Sequence, residues 1–260
     1  MSKIKVNSIE LDYEDHGTGA VLLLLHGLGS TKKDWDAQVP FFSKKNRVIT
    51  LDLRGHGDSN IPTDAYGVMV MTEDVKAFLD HLKIDKATFV GFSMGGAIAF
   101  QMAASYPEYV DNMVIVNSGP DFNNMGTIGE ELLRSRTQFL ETKGLKLLAK
   151  EISFNMFPED DQLELRMAFE ERCKNNDYNA YYQSFVTLMD WGLGDQLETI
   201  KARTLVVASD MDYTSVTFKQ EFVDRMQNAS LTVIKNSRHG VVLDQPEAFN
   251  KVLEKFLQDE

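Results

Sequence analysis

Six short apolar runs recur along the chain, each stopped by a glycine or a polar residue: AVLLLLHG, RVITLD, ATFVG, VDNMVIVN, RTLVVASD and SLTVIKN. They lack the polar–apolar alternation of a sheet with one wet face. Runs of about five apolar residues suit strands covered on both faces, which is the environment of a mostly parallel sheet. Parallel neighbours need crossovers, and the intervening sequence supplies helical periodicity. Val75, Phe78, Leu79 and Leu82 make one apolar stripe, and Phe249, Val252, Leu253 and Phe256 make another behind Pro246. The alternation predicts an α/β class with a doubly wound, mostly parallel sheet. Residues 3–6 and 9–13 alternate instead and read as a pair of half-buried antiparallel strands.

Residues 121–198 interrupt this rhythm. They hold no strand signal but several helical stretches, among them EELLRSRTQFL, LKLLAKEISFNMF and DQLELRMAFEERC. Lying between two predicted strands, they read as a helical cap insertion over one end of a core formed by residues 1–120 and 199–260. Met125, Met156, Met167 and Met189 either line a pocket beneath it or pack it onto the core.

At 260 residues and 43% hydrophobic, the chain has material for one large core without covalent staples. The lone cysteine, Cys173, has no partner for a disulfide or a metal-binding pair, which favours a reducing, cytoplasmic setting. MSKIKVNSIELDY does not read as a signal peptide, and VLLLL is too short to cross a bilayer. A formal charge of −12 argues against nucleic acid or anionic lipid as a partner. No H-E-x-x-H or G-x-G-x-x-G pattern appears, so neither a metal nor a dinucleotide cofactor is expected.

VGFSMGGAIAF carries the most specific chemistry. Gly91-Phe92-Ser93-Met94-Gly95 matches G-x-S-x-G and lies between a predicted strand and a predicted helix. A serine projecting from so sharp a turn needs a strained backbone and glycines two residues to either side. The helix behind it presents unpaired N–H groups where an oxyanion would form. A serine hydroxyl also needs a base, and the base an orienting acid. Of five histidines, His26 and His56 fall in turns, His16 in an early turn and His81 on a polar helix face. His239 follows the last predicted strand, at the sheet edge where Ser93 emerges. LVVASDMDYTSV offers Asp210 and Asp212 as the acid.

HGLG at 26–29, DLRGHGDS at 52–59, GFSMGG and RHGVVLDQPEAFN together resemble the α/β-hydrolase superfamily over essentially the whole chain. The resemblance implies Ser93 as nucleophile, His239 as general base and then acid, and Asp212 as orienting carboxylate. It implies that the backbone N–H groups of Leu28 and Met94 form the oxyanion hole, and that His26 and Asp52 are structural. The chain departs from the family pattern at Ser209, where a glycine is common, and at Val216 and Arg203, where prolines are. Arg238 replaces the glycine that usually precedes the histidine. The departures in the acid loop keep Asp210 as an alternative. Arg238 reads as a surface charge or as a group steering an acidic substrate. Trp35 reads as core or site wall, and Tyr181, Tyr182 and Trp191 as candidate pocket residues. The expected activity is cofactor-free hydrolysis of small to medium, uncharged carboxylic esters through an acyl-enzyme. Enol-lactone hydrolysis, carbon–carbon bond hydrolysis and perhydrolysis share the same residues, and a signalling receptor built on the pocket is the alternative of another class.

Overall fold

The computed structural model describes residues 2–63 and 65–259. Eight strands form one sheet: β1 (Ser2–Val6), β2 (Ile9–His16), β3 (Val21–Leu25), β4 (Arg47–Leu51), β5 (Ala87–Phe92), β6 (Val110–Val116), β7 (Arg203–Ser209) and β8 (Ala229–Ile234). Their order is β1-β2-β4-β3-β5-β6-β7-β8. The β1–β2 and β2–β4 pairs are antiparallel and every other pair is parallel. Val6 pairs with Ile9, so the β1–β2 hairpin has a two-residue loop, Asn7-Ser8, with φ of 43° and 68°. Both residues take the left-handed conformation that such loops require. His16, expected in a turn, closes β2.

Helices cover both faces. On one face Leu23, Leu25, Ile49, Leu51 and Phe89 meet α2 (Val68–His81), α3 (Met94–Ser105) and α8 (Val216–Arg225). On the other, Leu22, Leu24, Val48, Val90 and Val114 meet the single turns α1 (Val39–Phe42) and α9 (Val241–Asp244) and the long α10 (Pro246–Gln258). Successive residues of β3 thus enter opposite cores, which is why its sequence is uniformly apolar. The run SLTVIKN departs from this. β8 is an edge strand, only Ile234 in it is buried, and Val233 is 38% exposed. Trp35 is fully buried against Phe249 and belongs to the core.

Between β6 and β7 lie α4 (Gly126–Lys143), α5 (Leu145–Met156), α6 (Leu163–Lys174) and α7 (Tyr178–Met189), with one isolated bridge between Asp121 and Gly192. α7 has no counterpart among the sequence-predicted stretches. Its YNAYYQSFVTLM mixes aromatic, β-branched and polar residues, and propensity alone favours no element there. Among the described residues no helix is long and apolar enough to cross a membrane.

Strand order reverses at β3: the chain passes from β3 to β4 on one side, while β5 pairs with β3 on the other. The loops after β3 and β5 therefore leave adjacent strand ends in divergent directions and open a crevice there.

Arg203 shows what replaces the proline common at this strand start. Its guanidinium stacks 3.9 Å from the Phe256 ring centroid, donates to the Phe256 carbonyl at 2.7 Å and to Asn112 Oδ1 at 3.1 Å. It fastens α10 to β6 and β7. Arg203→Ala is expected to lower the unfolding free energy by about 1–3 kcal/mol in urea titrations.

Candidate active site

Ser93 stands at the crevice, between β5 and α3, with φ 52° and ψ −115°. A non-glycine residue pays about 1–3 kcal/mol for such a conformation. Packing around it leaves no alternative. A Cβ at Gly91 would strike the Gly95 carbonyl, and one at Gly95 would strike the Leu25 carbonyl at the end of β3. Gly96, which the G-x-S-x-G pattern does not include, is equally constrained: its Cβ would come 2.6 Å from that of Ser118. The Ser93 N–H donates to the Val116 carbonyl at 2.9 Å, and the Ser118 hydroxyl donates to the Ser93 carbonyl at 2.7 Å.

His239 and Asp212 come from the loops after β8 and β7. Imidazole Nδ1–H donates to Asp212 Oδ1 at 2.6 Å, which leaves Nε2 as the basic nitrogen. Asp210 is not part of this pair; it is exposed, and its carboxylate accepts from the Ser237 N–H at 3.3 Å. The second oxygen of Asp212 accepts from Lys219 Nζ at 2.7 Å, and this ammonium also donates to the Thr214 carbonyl and hydroxyl at 2.8 and 2.7 Å. Both side chains are buried. Burial raises the Asp212 pKa, but His239 and then Lys219 outweigh it and hold the carboxyl well below the usual carboxylate range.

Ser93, His239, Asp212 and Leu28 all line one cavity of about 170 Å³. No hydrogen bond joins the serine hydroxyl to the imidazole in this structure; apo sites often hold this pair long. Among the described residues the backbone N–H groups of Leu28 and Met94 take no hydrogen-bond acceptor. The loop bearing Leu28 is fixed from below by His26. Burial, and next the neighbouring His56, push the His26 imidazole down to about 3, so it is neutral. Its Nε2 accepts the Leu53 N–H at 3.0 Å and its Nδ1–H donates to the Gly27 carbonyl at 2.7 Å. From above, Asn176 Nδ2 donates to the Gly29 carbonyl at 2.8 Å.

Of the candidate pocket residues, Tyr181, Met125, Met156 and Met189 line the cavity. Tyr182 and Trp191 do not; Trp191 Nε1–H instead donates to Gln101 Oε1 at 2.8 Å. Met167 is 61% exposed. Arg238 lies outside the cavity wall. Sequence reasoning missed three groups around the histidine. Tyr213 stacks on its ring at 4.2 Å, Lys219 backs its acid, and Asn117 Nδ2 donates to the His239 carbonyl at 2.8 Å and to Ser209 Oγ at 2.6 Å. Only Asn117 left a trace in the sequence, as the polar residue ending VDNMVIVN; the other two look like ordinary loop and surface-helix residues. The carboxylates of Asp12, Asp52 and Asp58 have metal-ligand spacing, but the buried Lys32 ammonium lies 2.7 Å from the first two and 3.8 Å from the third.

Residues 20–245 match the model of a family described as the alpha/beta hydrolase fold. The chain belongs to the alpha/beta hydrolase fold family. It is 28% identical to 3-oxoadipate enol-lactonase 2 of Acinetobacter baylyi, over 98% of this chain and 96% of that protein. It is 29% identical to 2-hydroxy-6-oxo-6-phenylhexa-2,4-dienoate hydrolase of Burkholderia cepacia, over 97% and 92%. Among solved structures, the enol-lactonase from Burkholderia xenovorans superposes with a TM-score of 0.91 at 25% identity, over 99% of this chain and 100% of that one.

Close behind the histidine, α9 ends on a half-buried carboxyl, that of Asp244. Asp244 accepts from the Ser237 hydroxyl at 2.8 Å, and burial raises its pKa to about 6 although that bond opposes the rise. A carboxyl raised in the folded state costs stability as pH climbs from its unfolded value through its folded one. Asp244→Asn should therefore stabilise the protein by about 1–2 kcal/mol at pH 8, with the gain vanishing by about pH 4. Thermal denaturation of both proteins across that range checks this.

Proposed function

We propose that this protein is a serine hydrolase that cleaves small to medium carboxylic esters through an acyl-enzyme. The observation that carries the reading is the 2.6 Å bond from His239 Nδ1 to buried Asp212, in a cavity wall shared with Ser93. Ser93 Oγ attacks the ester carbonyl while His239 Nε2 takes its proton. Asp212 fixes the tautomer and offsets the imidazolium charge. The N–H groups of Leu28 and Met94 receive the developing oxyanion, a contribution on the order of a few kcal/mol to transition-state stabilisation. His239 then returns the proton to the leaving alcohol, and water activated by the same nitrogen releases the acid. Residues 121–198 act as a cap over a core of residues 1–120 and 199–260, and their side chains choose the substrate. Asp212 rather than Asp210 is the acid in this scheme.

Two relatives favour a second reading on the same machinery. One is named an enol-lactonase, in which the leaving group remains tethered to the acyl chain, and the other a dienoate hydrolase. Lactone opening needs no change in the roles above.

Ser93→Ala should lower turnover of p-nitrophenyl butyrate by roughly 10⁴-fold or more with the melting temperature preserved. A fluorophosphonate should label wild type and leave the variant unlabelled. Full activity in folded Ser93→Ala would overturn the mechanism.

A further inference from the structure

Arg136 lies on α4 and lines the cavity that holds Ser93 and His239; among the described residues it is the only arginine or lysine on that wall. Its guanidinium carbon is 4.9 Å from the Phe185 ring centroid, and Tyr181 lines the same wall. Its charge also acts on Cys173, whose thiol burial pushes up to about 12 against the pull of Arg136 and Arg172. No carboxylate pairs with Arg136 among the described residues. The other arginines of this helical segment all have oxygen partners. Arg134 has Glu131 at 2.7 Å, Arg172 has Asp34 at 3.3 Å, and Arg166 has the Phe157 and Pro158 carbonyls at 3.3 Å. The two acids of the cavity wall are engaged elsewhere: Asp212 by His239 and Lys219, Asp121 by the Gly194 N–H at 2.7 Å.

The chain carries 39 acidic side chains against 27 basic ones, so it does not lack counter-charges to place there. Arg136 is half-buried at this apolar wall, where Phe185 offers its ring face but no protein carboxylate meets the guanidinium. A ligand carboxylate meets its planar fork with two parallel hydrogen bonds and restores the balance. Leu132, Ile152, Met156 and Phe185 supply an apolar wall suited to a short methylene chain. The overall negative charge repels anions at long range, so recognition has to rest on this contact.

We propose that Arg136 binds a carboxylate on the acyl part of the substrate, so that the site selects half-esters or lactones of dicarboxylic acids over neutral esters. This assignment rests on the acyl-enzyme reading above, and it replaces the expectation of an uncharged ester. The test compares monomethyl succinate, glutarate and adipate with methyl butanoate, pentanoate and hexanoate, scanning chain length in matched pairs. At the best length, wild type should favour the half-ester in kcat/KM by roughly 10- to 100-fold. In Arg136→Met that ratio should collapse toward unity, mainly through KM, and Arg136→Lys should restore part of it. Turnover of neutral esters with no preference for a half-ester at any length overturns the assignment, as does a preference that survives in folded Arg136→Met. If no ester of either kind turns over and a fluorophosphonate leaves Ser93 unlabelled, the acyl-enzyme reading fails by itself. Calorimetry with free succinate, glutarate and adipate then decides the anion site: binding to wild type that Arg136→Met abolishes upholds it, and no binding overturns it.

Discussion

The close approach of α3 to the end of β3 governs everything at the crevice. The first turn of this helix lies so near the Leu25 carbonyl that residue 95 has no space for a side chain, and residue 91 is closed off by the same turn. The chain can pass only by placing Ser93 in a conformation that L-residues avoid. Its helical neighbours then hold that residue rigidly, with the start of α3 behind it. Strain, exposure and a ready-made positive end are three consequences of one packing contact.

The histidine is held by a different device. Three loops converge on it from β6, β7 and β8, and buried polar groups rather than apolar ones join them. Asn117 spans Ser209 and the His239 backbone, Asp212 takes the ring N–H, and Lys219 satisfies the remaining carboxylate oxygen. An ammonium so close to the acid offsets part of its negative charge. Asp212 therefore orients the imidazole through geometry and a screened field, and the pair is less polarised than a carboxylate solvated by neutral donors alone. Such a network is costly to break at any one member, because each leaves a buried group without its partner.

The helices between β6 and β7 meet this site on its open side, and their chemistry is mixed. Methionines and phenylalanines give a compliant apolar surface, while one guanidinium interrupts it. Asn176 and Arg172 bind the loop after β3, so the helices that line the cavity are also tied to the loop that carries Leu28.

Much of this was legible along the chain. Uninterrupted apolar runs demanded two covered faces, and VLLLL does enter two cores with alternate side chains. The spacing of glycines about Ser93 required a turn that only one class of packing explains. Both follow from local rules, since strand period and backbone sterics act over a few residues. What the order of residues left open was settled across distance. Asp210 and Asp212 are chemically alike, and the direction each faces depends on how the loop after β7 folds against the one after β8. Lys219 resembles any helical surface lysine until α8 docks on the sheet and removes its water. Arg136 lies one position beyond a permanently solvated Ser135 in sequence, and only the packing of α4 against α7 turns it toward the cavity. Pattern determined the scaffold and the serine turn; burial, which is a property of the assembled solid and not of the chain, decided which charges acquired partners.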